Sequence, residues 1–132
     1  MGDRGNIVIS DPQRGAVVLY THWRGDQISQ IAKDVLAKRD RWNDASYLAR
    51  IMLDEMTGRA KETTGFGITS WPNVGDNEHE LVVLDCAAQR IVRVPEGFFT
   101  DPIAPIIGPD QGMSFEEYVT EEVSMLNRGT RA

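Results

Sequence analysis

The chain has 132 residues and a mass of 14.8 kDa, and 41% of its residues are hydrophobic, 26% charged and 8% aromatic, a profile typical of one globular unit with a core. Its 14 Lys and Arg against 20 Asp and Glu give a net charge of −6, which argues against general electrostatic binding of DNA, RNA or an anionic membrane. A single cysteine, Cys86, excludes an internal disulfide and a cysteine-rich metal site.

Two β-branched runs open the chain and predict a hairpin. They cover residues 6–10 and 16–23, and Pro12 and Gly15 between them suit a turn. Side chains alternate between the faces of a strand, so one face of the second run carries Val17, Leu19, Thr21 and Trp23.

Two amphipathic helices are predicted next. Asp26 is the expected N-cap of the first, whose apolar residues follow at helical spacing. An apolar stripe over residues 48–56 predicts the second, with Asn43 or Asp44 as its N-cap and Gly58 just past its end.

The sheet is expected to continue after the helices. Residues 66–71 predict a third strand. The continuous apolar run 81–86 is typical of a central strand that is covered on both faces. Residues 91–94 then return as the second strand of another hairpin.

The last third of the chain changes character. Prolines punctuate an apolar stretch over residues 98–112, which therefore predicts an extended arm. We expect this arm to cover its own protomer or a neighbouring one, so self-association into a homo-oligomer is predicted. Ser114 and Glu117 match a capping box, which predicts a C-terminal helix over residues 113–132.

The predicted order is therefore β-β-α-α-β-β-β, arm, α. This order indicates an α+β fold with a mainly antiparallel sheet and the two central helices on one face. We expect a core domain over residues 1–97, the arm over 98–112, and the C-terminal helix over 113–132.

The densest cluster of functional side chains is residues 20–26, where a strand passes into a helix. Imidazole, indole and guanidinium groups together can stack on and hydrogen-bond an anionic, planar ligand. The alternative puts Trp23 in the core, makes Arg41 and Arg50 solvated helix charge, and makes the glycines of the loop 64–67 a packing feature. The predicted ligand-binding residues are Tyr20, His22, Trp23, Arg24, Arg41, Trp42, Arg50, Thr64 and Phe66.

Catalytic and metal sites have weaker signals. Asp85 and Cys86 end the buried strand, where a carboxylate needs a partner and a thiol is a possible nucleophile, but no catalytic set is recognisable. His22, His79 and Cys86 are far apart in the sequence, so we expect no metal, and no cofactor. Residues 76–80 are acidic but lack EF-hand spacing, and we interpret them as a solvated loop.

Three strings together carry a resemblance. Residues 19–23 (LYTHW), 41–51 (with RW and YLARI) and 64–68 (TGFGI) resemble a family of small uncharacterised proteins of bacteria and their phages, over residues 5–94. Members of that family have a small residue where this chain has Arg24. The resemblance implies a phage or prophage accessory protein and supplies no activity, cofactor or catalytic residue.

The location expected for the protein is the bacterial cytoplasm. No apolar run reaches the ~18 residues that a membrane-spanning helix needs, and the N-terminus lacks the apolar region of a signal peptide.

We expect a non-enzymatic protein that binds a small anionic, ring-containing ligand, such as a nucleotide signal of bacterial defence that a phage protein sequesters. The alternative is an acidic protein-interaction module that inhibits a host protein complex. A second alternative is a small hydrolase that uses His22, Asp85 or Cys86 with Glu62.

Overall fold

A computed structural model describes residues 2–58, 64–71, 73–75, 77–94 and 112–120. The strands are β1 (Gly5–Asp11), β2 (Gly15–Thr21), β3 (Phe66–Ser70), β4 (Leu81–Asp85), β5 (Arg90–Val94) and β6 (Met113–Ser114). The helices are α1 (Ile28–Leu36) and α2 (Ala45–Thr57), and a 3₁₀ turn (Gly25–Gln27) precedes α1. Residues 115–120 are helical as well.

The predicted α+β fold with a mostly antiparallel sheet is confirmed. Six strands form one sheet in the order β3-β2-β1-β4-β5-β6. Every neighbouring pair is antiparallel except β1 and β4, which are parallel. The two-residue strand β6 was not predicted. No helix in the described part of the chain has the length and apolar character needed to cross a membrane.

The central strands divide the core into two layers. Ile7 and Ile9 of β1 point to the helix side and belong to one buried cluster with Leu48 and Met52 of α2. The helices therefore cover one face of the sheet, as the sequence predicts. The side chains that share the second layer, on the opposite face, are Val8, Val18, Leu81 and Val83, with Trp71 and Val74 packed against them.

Local cap signals give the ends of the helical segments. Asp44 is the N-cap of α2 and accepts a hydrogen bond from the Tyr47 amide at 3.2 Å. Gly58 ends α2 with a φ of 61°, a left-handed conformation that glycine adopts without strain. Ser114 and Glu117 form the predicted capping box, each side chain accepting from the other residue's amide at 2.9 Å.

The predicted cap at Asp26 is wrong. Asp26 lies inside the 3₁₀ turn, and the residue at the N-cap position of α1, Gln27, makes no side-chain cap hydrogen bond. Asp3, in the N-terminal segment, accepts hydrogen bonds from the amides of this 3₁₀ turn instead. Its carboxylate accepts from the Asp26 amide at 3.2 Å, and its carbonyl accepts from the Gly25 amide at 2.7 Å. A residue distant in sequence has thus replaced the local cap.

The start of the C-terminal helix is held against α1. The buried Lys33 ammonium donates to the Tyr118 carbonyl at 2.9 Å and lies 4.0 Å from the centre of the Tyr118 ring. Phe115 is fully buried and meets Trp42 edge-on. Residues 98–111 of the predicted arm and residues 121–132 of the predicted helix lie outside the described residues.

A buried amide fastens β1 to the loop before β4. Asn6 is fully buried, and its side chain donates to the Gly75 carbonyl at 3.1 Å and to Asn77 Oδ1 at 3.0 Å. Its own oxygen accepts from the Gly75 amide at 3.1 Å. The Asn6 side chain therefore bonds to both the carbonyl and the amide of Gly75.

We predict that Asn6→Ala lowers the free energy of unfolding by about 2 kcal/mol, because it leaves buried polar groups without partners. Urea denaturation followed by circular dichroism measures the loss. The matched control is Asn73→Ala at an exposed position, which should change stability by less than about 0.5 kcal/mol. Equal stabilities of the two variants would contradict the role given to Asn6.

Candidate functional site

The end of β2 is held by hydrogen bonds from three directions. The buried Thr21 hydroxyl accepts from the amides of Trp23 (3.2 Å) and Arg24 (3.1 Å), which fixes the turn after the strand. The His22 amide donates to the Gly65 carbonyl at 2.7 Å, and the His22 carbonyl accepts from the Asp3 amide at 2.7 Å. The backbone that carries the predicted site is therefore hydrogen-bonded on both sides.

Trp23 presents its ring to solvent at this turn. The residue is 53% exposed, so the alternative in which it is a core residue is wrong. The His22 ring meets the indole edge-on, with centroids 4.5 Å apart, and His22 Nδ1 lies 3.2 Å from the Tyr20 hydroxyl. Gly65 lies against the indole with a φ of 94°, and a Cβ there would be 2.2 Å from Trp23 Nε1. Glycine at position 65 thus lets the backbone approach the ring.

Arg24 is held at the C-terminus of α2. Its Nη1 donates to the carbonyls of Glu55 and Met56, both at 3.0 Å, where the last helical carbonyls lack intrahelical donors. Its Nε and Nη2 donate to Gln27 Oε1 at 3.0 and 2.8 Å. Most of the donors of this guanidinium are therefore engaged within the protein.

The predicted cluster around residue 41 lies at the other helix end. Trp42 donates from its indole nitrogen to the Leu36 carbonyl at 3.0 Å and packs against the core. The Arg41 guanidinium lies 4.3 Å from the centre of the exposed Tyr47 ring. Arg50, whose side chain is 78% exposed, pairs with Asp54 one turn along the helix at 3.4 Å. This arrangement agrees with solvated helix charge.

The nine predicted ligand-binding residues do not converge on one hollow. Helix α2 has 13 residues, so its ends are about 18–20 Å apart, with Arg41 beyond the first and Arg24 at the last. The structure brings Tyr20, His22, Trp23 and Arg24 to the end of β2, next to Phe66 at the start of β3 and Thr64 just before it. Arg41 and Trp42 lie before the other end of α2, and Arg50 lies in the middle of that helix. Thr64 is exposed, whereas Phe66 packs against the core.

Two hollows lie elsewhere on the surface. The first, of about 320 Å³, lies between the β1–β2 turn and the start of α2 and is lined by Arg14, Val17, Ala45 and Ala49 among others. The second, of about 300 Å³, is lined by Gly25, Asp26, Ile28, Ser29, His79 and Glu80. Neither hollow has any of the nine predicted residues in its lining.

A cluster of titratable groups beside the second hollow, formed by Asp3, Asp26, His79 and Glu80, was not predicted from the sequence. His79 donates from Nε2 to the Asp3 carboxylate, and Ser29 donates from its hydroxyl to Glu80 at 3.0 Å. The His79 hydrogen bond lowers the pKa of Asp3, whereas the hydrogen bond to Asp3 raises the pKa of Asp26. His79 and Glu80 of the predicted solvated loop are half-buried and hydrogen-bonded. The sequence feature that could have indicated this cluster is His79, which lies between Glu78 and Glu80.

Metal binding has no support from the geometry of the described residues. In those ranges, no three His, Cys, Asp or Glu side chains are arranged to hold a metal ion.

Asp85 and Cys86 lie far from His22. Burial, followed by the nearby Asp85 charge, raises the pKa of the Cys86 thiol to about 12, and the Cys86 amide bonds to Ser10 near the end of β1. The Asp85 carboxylate accepts from the amides of Ala87 and Ala88 in the following turn, at 2.9 and 3.0 Å. His22 lies past the opposite end of β1, about 20 Å away along a seven-residue strand. Glu62 lies outside the described residues.

Comparisons with known proteins add no assignment. No protein-family model, no curated protein and no solved structure matches this sequence. The resemblance to small bacterial and phage proteins therefore stays a prediction.

We predict that Asp3→Asn moves the pKa of Asp26 down toward its ordinary value, because the Asp3 hydrogen bond is the main cause that raises it. Carbon-detected NMR titration of the carboxyl groups measures this shift. Asp34→Asn, at an exposed position on α1, should leave the Asp26 titration unchanged. An Asp26 pKa that does not move in the Asp3 variant would show that the two carboxyls are independent.

The lowered pKa of Asp3 also predicts how stability depends on pH. Its contribution is complete above the unfolded pKa of about 3.9 and is lost as the pH falls through the lower folded value. Asp26 acts in the opposite sense, because its folded pKa is raised: its contribution is present below the unfolded pKa and is lost as the pH rises through the folded one. His79→Ala removes the hydrogen bond that mainly lowers the pKa of Asp3. It should therefore raise the folded pKa of Asp3, so that an acid titration shows the loss of its contribution to stability at higher pH.

We predict that the Cys86 thiol of the native protein reacts with a thiol reagent only slowly at pH 8, because it is buried and its pKa is raised to about 12. Unfolding in urea should restore the rate of an ordinary cysteine. Fast labelling of the folded protein would show that the thiol is reachable and would reopen a nucleophilic role.

Proposed function

We propose that the protein binds a small anionic molecule with an aromatic ring, of which a nucleotide is the best example, and does not transform it. The proposed site is the Trp23 surface, which comprises Tyr20, His22, Trp23, Arg24 and Thr64. The observation that carries this proposal is the solvent-facing indole of Trp23, which is 53% exposed although it is held in place by its neighbours.

A fixed and exposed indole is suited to stacking on a ring. The edge of His22 and the backbone at Gly65 restrict the orientation of the indole before any ligand arrives. Little rotamer freedom then remains to be lost on binding, which favours affinity from a small contact area. Stacking between a base and an aromatic side chain contributes about 1–3 kcal/mol.

The charge of the ligand is expected to matter less than its ring. Arg24 is the cation of the predicted set that lies beside Trp23, and most of its donors already bond to Gln27 and the end of α2. Arg24 can therefore attract an anionic ligand by its charge but can donate few further hydrogen bonds to it. Binding should therefore depend only modestly on salt concentration.

Binding without turnover is favoured over hydrolysis. The groups that a hydrolase would combine, His22 with Asp85 or Cys86, lie at opposite ends of β1. In the proposed role the protein works in the bacterial cytoplasm and removes a nucleotide signal by stoichiometric capture, as the resemblance to phage accessory proteins suggests. An acidic module that inhibits a host complex remains the competing proposal.

We predict that Trp23→Ala weakens nucleotide binding by about 5- to 100-fold, in line with the loss of one stacking contact. Isothermal titration calorimetry against cyclic and linear nucleotides measures the affinity. The control is Arg50→Ala, which removes an exposed cation that pairs with Asp54 in the middle of α2 and should leave the affinity unchanged.

The same titrations distinguish the alternatives. If no nucleotide binds at millimolar concentration, or if the Trp23 variant binds as tightly as the native protein, the proposed site is refuted. Mass spectrometry of the recovered nucleotide should show no change of mass, and a product that depends on His22 would establish an enzyme instead.

A further inference from the structure

Strand β3 is an outer edge of the sheet. It pairs with β2 on one side, and within the described ranges no strand pairs with its other side. Its central residue, Ile68, is 57% exposed, which is unusual for a large apolar side chain in a strand. Unpaired edge strands expose backbone donors and acceptors to any other extended chain.

The register of β3 shows which backbone groups face outward. The Trp71 amide donates to Ala16 and the Gly65 carbonyl accepts from His22, so the odd-numbered residues of this segment bond to β2. Hydrogen-bonding direction alternates along an antiparallel strand. The amides of Phe66, Ile68 and Ser70 therefore point away from the sheet, with Ile68 at the centre.

Nothing in the composition of this edge prevents pairing. Residues 64–71 contain no charged residue and no proline, in a chain that is 26% charged. Charged side chains and prolines are the usual features that keep edge strands apart. Two copies that each carry a charge of −6 repel one another in general, but this segment adds no repulsion of its own.

The outward backbone groups around Ile68 suit pairing with a second copy of the same strand, and the Ser70 carbonyl, which accepts from the Asn73 amide at 2.9 Å, has a second lone pair for it. A two-fold axis beside Ile68 places each Ile68 opposite the other as a hydrogen-bonded pair and places Phe66 opposite Ser70 of the partner subunit. The two Ile68 side chains then lie on the same face of the joined sheet and cover one another. A symmetric contact of this kind is closed, so it stops at two copies.

The chain's own arm is a poor alternative occupant. Residues 95–111 leave from β5 and return to β6, at the opposite edge of the sheet. A position outside β3 is five strand spacings of about 4.8 Å from β5 and six from β6, a path of about 53 Å, whereas these 17 residues reach at most about 56 Å when extended. Too little chain remains to pair along β3. The segment after Thr120 is tested by the experiments below.

We infer that two copies of this chain associate through β3, antiparallel to one another, and join their sheets into one. This interface differs from the arm that the sequence suggested for self-association, and it does not depend on the proposed ligand.

Sedimentation velocity of the full chain over a concentration series tests the interface. The native protein should form a dimer of twice 14.8 kDa, and Ile68→Lys should raise the dimer dissociation constant by about tenfold or more. Ala88→Lys is the control, because it adds the same charge at an exposed turn away from β3. A monomeric native protein, or a dimer that Ile68→Lys leaves intact, would overturn the inference. Nucleotide binding at Trp23 can be measured separately in each variant.

Amide hydrogen exchange of the native protein supplies a test without any substitution. The amides of Gly67 and Thr69, which bond to β2, should be protected at every concentration. Those of Ile68 and Ser70 should become protected only as the protein concentration rises through the dimer dissociation constant. Protection of Ile68 that does not depend on concentration would show that the chain's own segment after Thr120 covers the edge. Absence of protection at all concentrations would leave the edge unpaired, and either result refutes the dimer.

Discussion

The parallel pairing of β1 with β4 joins the two hairpins into one sheet. Both strands are buried on both faces, and the Ser10 hydroxyl donates to the Leu84 carbonyl at 2.9 Å while the Ser10 carbonyl accepts from the Cys86 amide at 2.9 Å. The chain between β1 and β4 contains β2 and β3, which extend the same sheet on the other side of β1. Helices α1 and α2 connect the antiparallel neighbours β2 and β3 and lie on one face of the sheet, where they cover Ile7 and Ile9.

The antiparallel pairing of β1 with β2 positions the proposed binding surface. Strand β2 lies between β1 and β3, and its C-terminal end lies beside the N-terminal segment, whose Asp3 amide bonds to the His22 carbonyl. His22 then takes a hydrogen bond from Asp3 on one side and gives one to Gly65 on the other, which leaves the Trp23 ring facing solvent. The acidic group formed by Asp3 and Asp26 with His79 depends on the same N-terminal segment.

The two proposals share a short part of the chain. Gly65 supports the indole of Trp23 and immediately precedes β3, the strand inferred to pair with a second copy. In an antiparallel dimer centred on Ile68, one Trp23 surface would lie near each end of the new interface. Two equal binding sites for each dimer are the expected stoichiometry, and neither site needs the other copy to be complete.

Local sequence signals determined the elements, and long-range contacts decided the site. The α+β class, the approximate order of strands and helices and the cap at Asp44 were predictable because each depends on residues within a few positions of one another. The parallel β1–β4 contact, the replacement of the Asp26 cap by Asp3 and the separation of Arg41 from Arg24 were not. Each of these features depends on how segments that are distant in the sequence pack together. Hydrophobic periodicity predicts which segments are strands and helices, but it does not determine which strands become neighbours.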